Sequence, residues 1–368
     1  MAILRGFAGG SSRWSSACAS RSGQPGQALG IAVAGMQLFR HYQGLPVAVR
    51  GAVIAIGSFD GVHRGHQAVI GKARRLALEF EAPSGVVTFE PHPRRFLQPK
   101  LPPFLLTSFR VKTRLIQSLG VDALYALPFN QRMAKLTAEE FAYEVLAEGL
   151  AVKHVVVGDD FRFGARRLGD VALLTQLGRQ HGFGVTTVRP VLASGQEPYS
   201  STQVRQQLMQ GKPTRAALLL GRYWEIEGRV LHGAKRGRGL GYPTANIGLG
   251  EILRPAFGVY AVRAALDRAG QRWLAGVANI GISPMFDPRE PLLEVHLFDF
   301  DGDLYGKHLR VALVDYLREE RVFESIDAMR RQMDEDSSRA KVTLAWEDWD
   351  STWPASPFMA VGADTGGP

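Results

Sequence analysis

The stretch that most constrains the fold is Ile56-Gly57-Ser58-Phe59-Asp60-Gly61-Val62-His63-Arg64-Gly65-His66. It joins two segments of different periodicity. Before it, Gly51-Ala52-Val53-Ile54-Ala55-Ile56 is an apolar run that reads as a strand; after it, the chain from Gln67 to about Glu81 reads as a helix. Strand, glycine-punctuated turn and helix form the setting in which a phosphate meets bare backbone N–H groups at a helix N-terminus. Gly57, Gly61 and Gly65 let the backbone turn tightly and leave the site uncrowded. His63 and His66 place two imidazoles near one point, where they can donate to phosphate oxygens as charge builds. The run lacks the Gly-Lys-Ser/Thr of a P-loop. The plain alternative is a strand-to-helix turn that happens to hold two histidines.

The same alternation continues. Strands are expected at 85–89, 121–127, 154–158 and 184–190, and helices near 107–116, from Thr137 to about Glu148, and after Pro198. Thr137-Ala138-Glu139-Glu140 is a capping-box start. Apolar strands alternating with amphipathic helices imply a parallel, doubly wound sheet. Met36-Gln37-Leu38-Phe39-Arg40 reads as a lead-in to the first strand, taken as 51–56.

Three loops fall where such a sheet binds ligands, past the C-terminal ends of strands. Pro91-His92-Pro93 predicts an extended loop that presents His92, because proline on both sides disfavours helix. Asp159-Asp160-Phe161-Arg162-Phe163-Gly164 puts two aromatics beside acidic and basic residues, which suits a flat ring and a phosphate. Ser200-Ser201-Thr202-Gln203-Val204-Arg205 opens a helix with N-cap residues, and Arg205 lies one turn on: a second anion cradle.

Around residues 210–222 the pattern changes to short strands and turns, an all-β module read as a small closed barrel followed by a helix over about 325–336. Gly233-Ala234-Lys235-Arg236-Gly237-Arg238-Gly239-Leu240-Gly241 is a cationic, glycine-rich flap suited to a polyphosphate. Behind it, Thr244 and Asn246 face the same way in extended backbone and offer hard oxygens that suit Mg²⁺. Glu294 shares one face of its strand with His296 and Phe298. It either faces a ligand as a base or faces water while Val295 and Leu297 face the core.

Length and charge narrow the classes. At 368 residues two domains are the default. The net charge of +9 admits nucleic acid but fits anionic small substrates equally, and basic residues do not interleave with aromatics. No nucleic-acid partner is expected. No apolar run reaches the ~18 residues of a membrane span, and the single cysteine, Cys18, suits a reducing cytoplasm. Residues 1–35 carry Arg5, Arg13 and Arg21 without an acidic residue and read as a disordered extension rather than a transit peptide; residues 346–368 read as a disordered tail. A weak homo-oligomer is compatible with this reading.

Together GSFDGVHRGH, TFEPHP, VVVGDDFRFG, SSTQVR, GLGYPTANI, FGVYAV, GVANIG and EVHLFDFDGDLYG resemble the prokaryotic bifunctional riboflavin kinase/FAD synthetase family over about 36–340. The resemblance implies a Rossmann-like nucleotidyltransferase domain at 36–220 and a six-stranded riboflavin kinase barrel at 221–345. It implies that ATP phosphorylates riboflavin to FMN in the barrel. AMP from a second ATP then passes to FMN, giving FAD and pyrophosphate, and both steps need Mg²⁺. By resemblance, His63 and His66 are the adenylyl-transfer histidines, with Gly57, Phe59 and Gly65 around the nucleotide. Ser201, Thr202 and Arg205 bind phosphate, and His92, Asp160, Phe161 and Phe163 border flavin and nucleotide. Gly239 and Gly241 cover ATP, Thr244 and Asn246 hold the metal, and Glu294 is the base for the ribityl hydroxyl. The barrel argues against relatives with a pantetheine phosphate or nicotinate nucleotide acceptor. Two departures stand out: Ser58 where many members have Asn, and Met285 where many have Thr. Translation is expected to begin at Met36, so the N-terminal mass of the native protein should lack residues 1–35.

Overall fold

The computed structural model describes residues 31–33, 35–191, 198–232, 242–266, 272–282 and 291–345. The stretches 1–30 and 346–368, and with them Cys18, lie outside the described residues.

The first sheet is built from β1 (Ile31–Val33), β2 (Met36–Phe39), β3 (Val53–Ile56), β4 (Ser84–Glu90), β5 (Ala123–Pro128), β6 (His154–Gly158) and β7 (Gly184–Val188), in the order β1-β2-β5-β4-β3-β6-β7. β2 to β7 run parallel, and β1 pairs antiparallel with β2. Both faces are covered, which is why the strands are apolar throughout. Ile54, Ile56, Val87, Tyr125, Val155 and Val157 pack into one apolar layer, and their neighbours Val53, Ala55, Val86, Leu124 and Val156 into the other.

Around the sheet lie α1 (Arg64–Glu79), α2 (Pro93–Leu97), α3 (Phe109–Ser118), α4 (Gln131–Lys135), α5 (Ala138–Glu140, continued by π-helical turns over Phe141–Gly149), α6 (Val171–His181), α7 (Ser201–Met209) and α8 (Pro213–Leu220). The capping box forms: the Thr137 hydroxyl accepts from the Glu140 N–H at 3.1 Å, and the Glu140 carboxylate from the Thr137 N–H at 2.8 Å.

The structure corrects three expectations. Met36–Phe39 is itself a strand, and residues 31–33, read as part of an extension, form β1 against it. Four residues are too few for periodicity to separate a strand from a loop. Pro93 starts α2 instead of holding an extended loop, because its fixed φ fits the first helical position. The last helix, α9 (Ile326–Ala345), runs nine residues past its expected end, since Ser337, Ala340 and Leu344 carry the buried stripe onward.

The second sheet contains β8 (Trp224–Arg229), β9 (Ala245–Gly248), β10 (Gly258–Leu266), β11 (Leu274–Ile282), β12 (Pro291–Leu297) and β13 (His308–Arg318), ordered β8-β13-β10-β11-β12-β9. All its pairings are antiparallel. The Leu231 N–H donates to the Asn246 carbonyl at 2.8 Å, which brings the chain just after β8 to β9 and nearly closes the barrel. Ile226, Ile247, Tyr260, Val262, Leu293, Val295 and Val311 fill the interior. α9 covers part of the outside through Ala340 and Leu344.

The two sheets are joined tightly. Leu106, Val204, Leu208, Ala216 and Leu220 belong to the same apolar cluster as the barrel interior. Trp224, fully buried, donates its indole N–H to the Leu106 carbonyl at 2.7 Å. Arg114 of α3 reaches Glu225 at 3.1 Å and Glu227 at 2.7 Å, and Arg310 closes on Glu225 at 2.9 Å. Burying Glu225 is tolerated because two guanidiniums share its charge. Trp224→Phe should therefore lower unfolding free energy by about 1–3 kcal/mol, the cost of an unpaired buried carbonyl. Urea unfolding followed by far-UV circular dichroism measures it.

Candidate active sites

The first site lies where two helices begin. The β3–α1 turn is strained: Phe59 and Val62 take φ of 48° and 42°, and Gly61 takes 83°. Non-glycine residues in that region cost on the order of 1–3 kcal/mol each, and persist only where surroundings impose them. Asp60 does much of the imposing. It is 3% exposed and accepts from the Leu106 N–H at 2.9 Å, the Thr107 N–H at 3.1 Å and Arg205 at 2.6 Å. The Asp60 carbonyl takes the Ser201 hydroxyl at 2.9 Å. Gly65 is needed where α1 meets the segment entering α7, because a Cβ there would stand 3.1 Å from the His63 ring and 3.2 Å from the Tyr199 carbonyl. Gly57 similarly lies under the Phe59 ring.

His63 caps α1, its Nδ1 accepting from the His66 N–H at 3.4 Å, so its own proton sits on Nε2. The two rings stack at 3.6 Å between centroids with 23° between planes. Burial, then Arg222 and Arg205, lowers the His63 pKa from 6.5 to about 3. Burial, then His63 and nearby cations, holds His66 well below its ordinary range. Both imidazoles are therefore neutral at pH 7, and face-to-face contact is feasible because neither is charged. His66 Nδ1 is buried and has no hydrogen-bond partner among the described residues.

The other expected residues separate into two groups. Ser201 and Arg205 do join the histidines, and Thr202 is exposed on the first turn of α7. Arg205 pairs with Asp60 at 2.6 Å and donates to the Phe104 carbonyl at 2.8 Å, which ties the two helix starts together. Phe59, 2% exposed, meets His66 edge-on at 5.2 Å and supports that ring from the core. His92 caps α2, its ring edge-on to Phe104; burial lowers its pKa to about 4 against the opposing pull of Asp60. Asp160 is exposed after β6, next to β3 in the sheet. Phe163 is 7% exposed and packs on Phe141 at 5.9 Å, with half-buried Phe161 stacked on it at 5.7 Å.

Two residues that sequence reasoning missed lie here. Lys112 of α3 is 4% exposed, with Nζ 3.4 Å from both the Ser58 carbonyl and Glu90. Arg222, ahead of β8, donates to the Gly61 carbonyl at 2.7 Å. Nothing in FRVKTR separates Lys112 from its solvent-facing neighbours. The contact at Ser58 is to its backbone carbonyl, which an Asn-to-Ser change leaves in place.

The second site is on the barrel. Glu294 pairs directly with Asn246 on β9 and Asn279 on β11. Leu293, Val295 and Leu297 point into the barrel, so Glu294 and His296 occupy the outer face. Glu294 is still only partly exposed, and burial, then the Glu320 carboxylate, raises its pKa. Glu320 accepts from Asn279 at 3.1 Å, and a Cβ on Gly281 would collide with it. Asn246 is 6% exposed, and its Oδ1 has no hydrogen-bond partner among the described residues. Thr244 and Asn246 line a cavity of about 440 Å³ with Val295, Leu297 and residues 300–305. His296 Nδ1 lies 2.9 Å from the Pro243 carbonyl and ties the start of this segment to β12. Gly239, Gly241, the basic run before them and Met285 lie outside the described residues.

Residues 46–203 match the FAD synthetase family and residues 220–344 the riboflavin kinase family. A Pseudomonas fluorescens protein named bifunctional riboflavin kinase/FMN adenylyltransferase is 44% identical over 311 residues, 84% of this chain and 98% of its own length. The chain belongs to that bifunctional family. Its Escherichia coli K12 member is 40% identical over 307 residues, covering 83% of this chain and 97% of its own. A Streptococcus pneumoniae crystal structure named as a macrolide-efflux protein shares the fold, with TM-score 0.73 and 32% identity over 84% of this chain and 99% of its own. Among the described residues no helix is long and apolar enough to cross a membrane.

The family's two halves thus each carry a buried, pKa-shifted cluster. For the histidines the sign is definite. Below pH 6.5 the unfolded chain takes up protons that folded His63 refuses until about pH 3. The unfolded state then binds more protons, so stability is unaffected above pH 6.5 and falls as pH drops toward 3. The urea midpoint should decline from pH 7.5 to pH 5, and His63→Asn, which keeps a capping oxygen, should flatten that decline.

Proposed function

We propose that this chain makes FMN from riboflavin and ATP on the barrel, and FAD from FMN and a second ATP at the β3–α1 turn. The observation that carries the second step is the stacked pair of neutral histidines between two helix N-termini, with His66 Nδ1 unpartnered. An FMN phosphate oxygen attacks the α-phosphorus in line; the new P–O bond forms as the bond to the pyrophosphate oxygen breaks. No proton need move, so the protein's work is positioning and charge stabilisation. Neutral imidazoles donate to the crowded phosphate oxygens, and the N-termini of α1 and α7 supply backbone N–H groups. Asp160 and Phe161, at the neighbouring strand end, border the bound nucleotide and flavin, and His92 stands beside the phosphates.

On the barrel, Glu294 takes the proton of the ribityl 5′-hydroxyl while that oxygen attacks the γ-phosphorus and ADP leaves. Its raised pKa makes it a stronger base than an ordinary carboxylate. The donor set fits Mg²⁺: Asn246 Oδ1 is buried without a partner, and Thr244 lies two residues before it. Neutral oxygens suit an ion that takes its remaining ligands from phosphates and water. When bound, the ion neutralises polyphosphate charge. The substrates are small anions and a flavin in the cytoplasm, with no nucleic-acid partner.

Glu294→Gln should abolish FMN formation and leave FAD formation from supplied FMN. His66→Ala should do the reverse, slowing pyrophosphate release from FMN and ATP roughly 10²–10³-fold. Separate assays with riboflavin and with FMN read both, and near-normal FMN formation by Glu294→Gln would overturn the base assignment. Chelating divalent cations should stop both reactions.

A further inference from the structure

Arg222 precedes β8, in the half that matches riboflavin kinase, yet its guanidinium is spent on the other half's turn. Nη2 donates to the Gly61 carbonyl at 2.7 Å, and Nη1 to the Val62 and Leu220 carbonyls at 3.3 Å each. Gln67 of α1 donates to the same Val62 and Leu220 carbonyls, both at 2.9 Å. Arg64 donates to the Leu218 carbonyl at 3.1 Å, so the end of α8 and the start of α1 are laced together. The carbonyls that Arg222 grips belong to Gly61 and Val62, both at positive φ.

We propose that Arg222 is a positioning residue for adenylyl transfer: its planar fork holds the Gly61 and Val62 carbonyls and thereby sets the stance of His63 and His66. Because the peptide is planar and trans, pinning the Val62 carbonyl turns the His63 N–H to the opposite side. That fixes His63 as the cap of α1 and, through it, the ring stack. A fork can span two carbonyls where a lysine ammonium supplies only a point charge. Burial lowers the Arg222 pKa to about 10, which leaves it charged at neutral pH. Its charge also faces His63 together with Arg205. His66, His92, Arg64, Lys112 and the Asp60–Arg205 pair surround this turn, and Glu225 and Arg114 act on Arg222 from the seam.

The inference rests on the adenylyl-transfer reading, and the test separates the two. Full-length Arg222→Met, Arg222→Lys and His66→Ala are assayed for FAD from FMN and for FMN from riboflavin. In Arg222→Met, kcat for FAD formation should fall about 10²-fold, as for a misplaced reacting group, with KM for ATP little changed and FMN formation intact. Its acid limb should move to higher pH, because His63 loses a neighbouring cation. Arg222→Lys should return that limb to its wild-type position while recovering kcat only in part. Wild-type kcat and pH profile in Arg222→Met, with FAD formation by His66→Ala slowed roughly 10²–10³-fold, would overturn the inference alone. Normal FAD formation by His66→Ala would overturn the reading beneath it. Should Arg222→Met lose both activities, Arg222→Lys decides: reduced kcat for FAD with normal FMN formation supports the role, and wild-type kcat rejects it.

Discussion

The buried Asp60 carboxylate is the interaction on which the adenylyl site depends. A single charged group joins the β3–α1 turn, the chain at Leu106 and Thr107, and the start of α7. Its desolvation is offset by two backbone N–H donors and one guanidinium at 2.6 Å. Without it, two helix N-termini would have no reason to converge, and the left-handed residues of the turn would relax. The same carboxylate pairs with Arg205, which stands beside the two histidines.

The two halves solve different problems with the same device, burial that shifts a proton. At the turn, desolvation and neighbouring cations keep the imidazoles uncharged. On the barrel, desolvation and Glu320 make Glu294 hold a proton more tightly. In the mechanism we propose, the turn uses groups that do not titrate during the reaction, and the barrel uses one that does.

Much of this was legible. The alternation of apolar strands and amphipathic helices was enough for the parallel sheet, and 3.6-residue and two-residue periods separate the halves near residue 221. The strand-to-helix turn before α1 and the Ser200 cap of α7 were readable locally. What escaped depends on contacts far apart in sequence. The burial of Phe163 escaped because its packing partner, Phe141, is 22 residues away in π-helical turns. Arg205 looked free because Asp60 is 145 positions distant. The side of β12 that Glu294 occupies was undecidable from alternation, since both parities satisfy it. Lys112 and Arg222 carry no motif at all, and only folding brings them to the turn.

The shared apolar cluster at the seam bears on how such a protein can be rearranged. Leu106, Val204, Leu208, Ala216 and Leu220 complete the barrel interior although they precede it in the chain. A chimera spliced at residue 221 would set a foreign barrel against these five side chains and remove the Trp224 indole that donates to the Leu106 carbonyl. A crossover that works must carry α7, α8 and the Leu106 segment with the barrel. The barrel with its packing partners is thus discontinuous in the chain, although the two sheets follow one another in sequence.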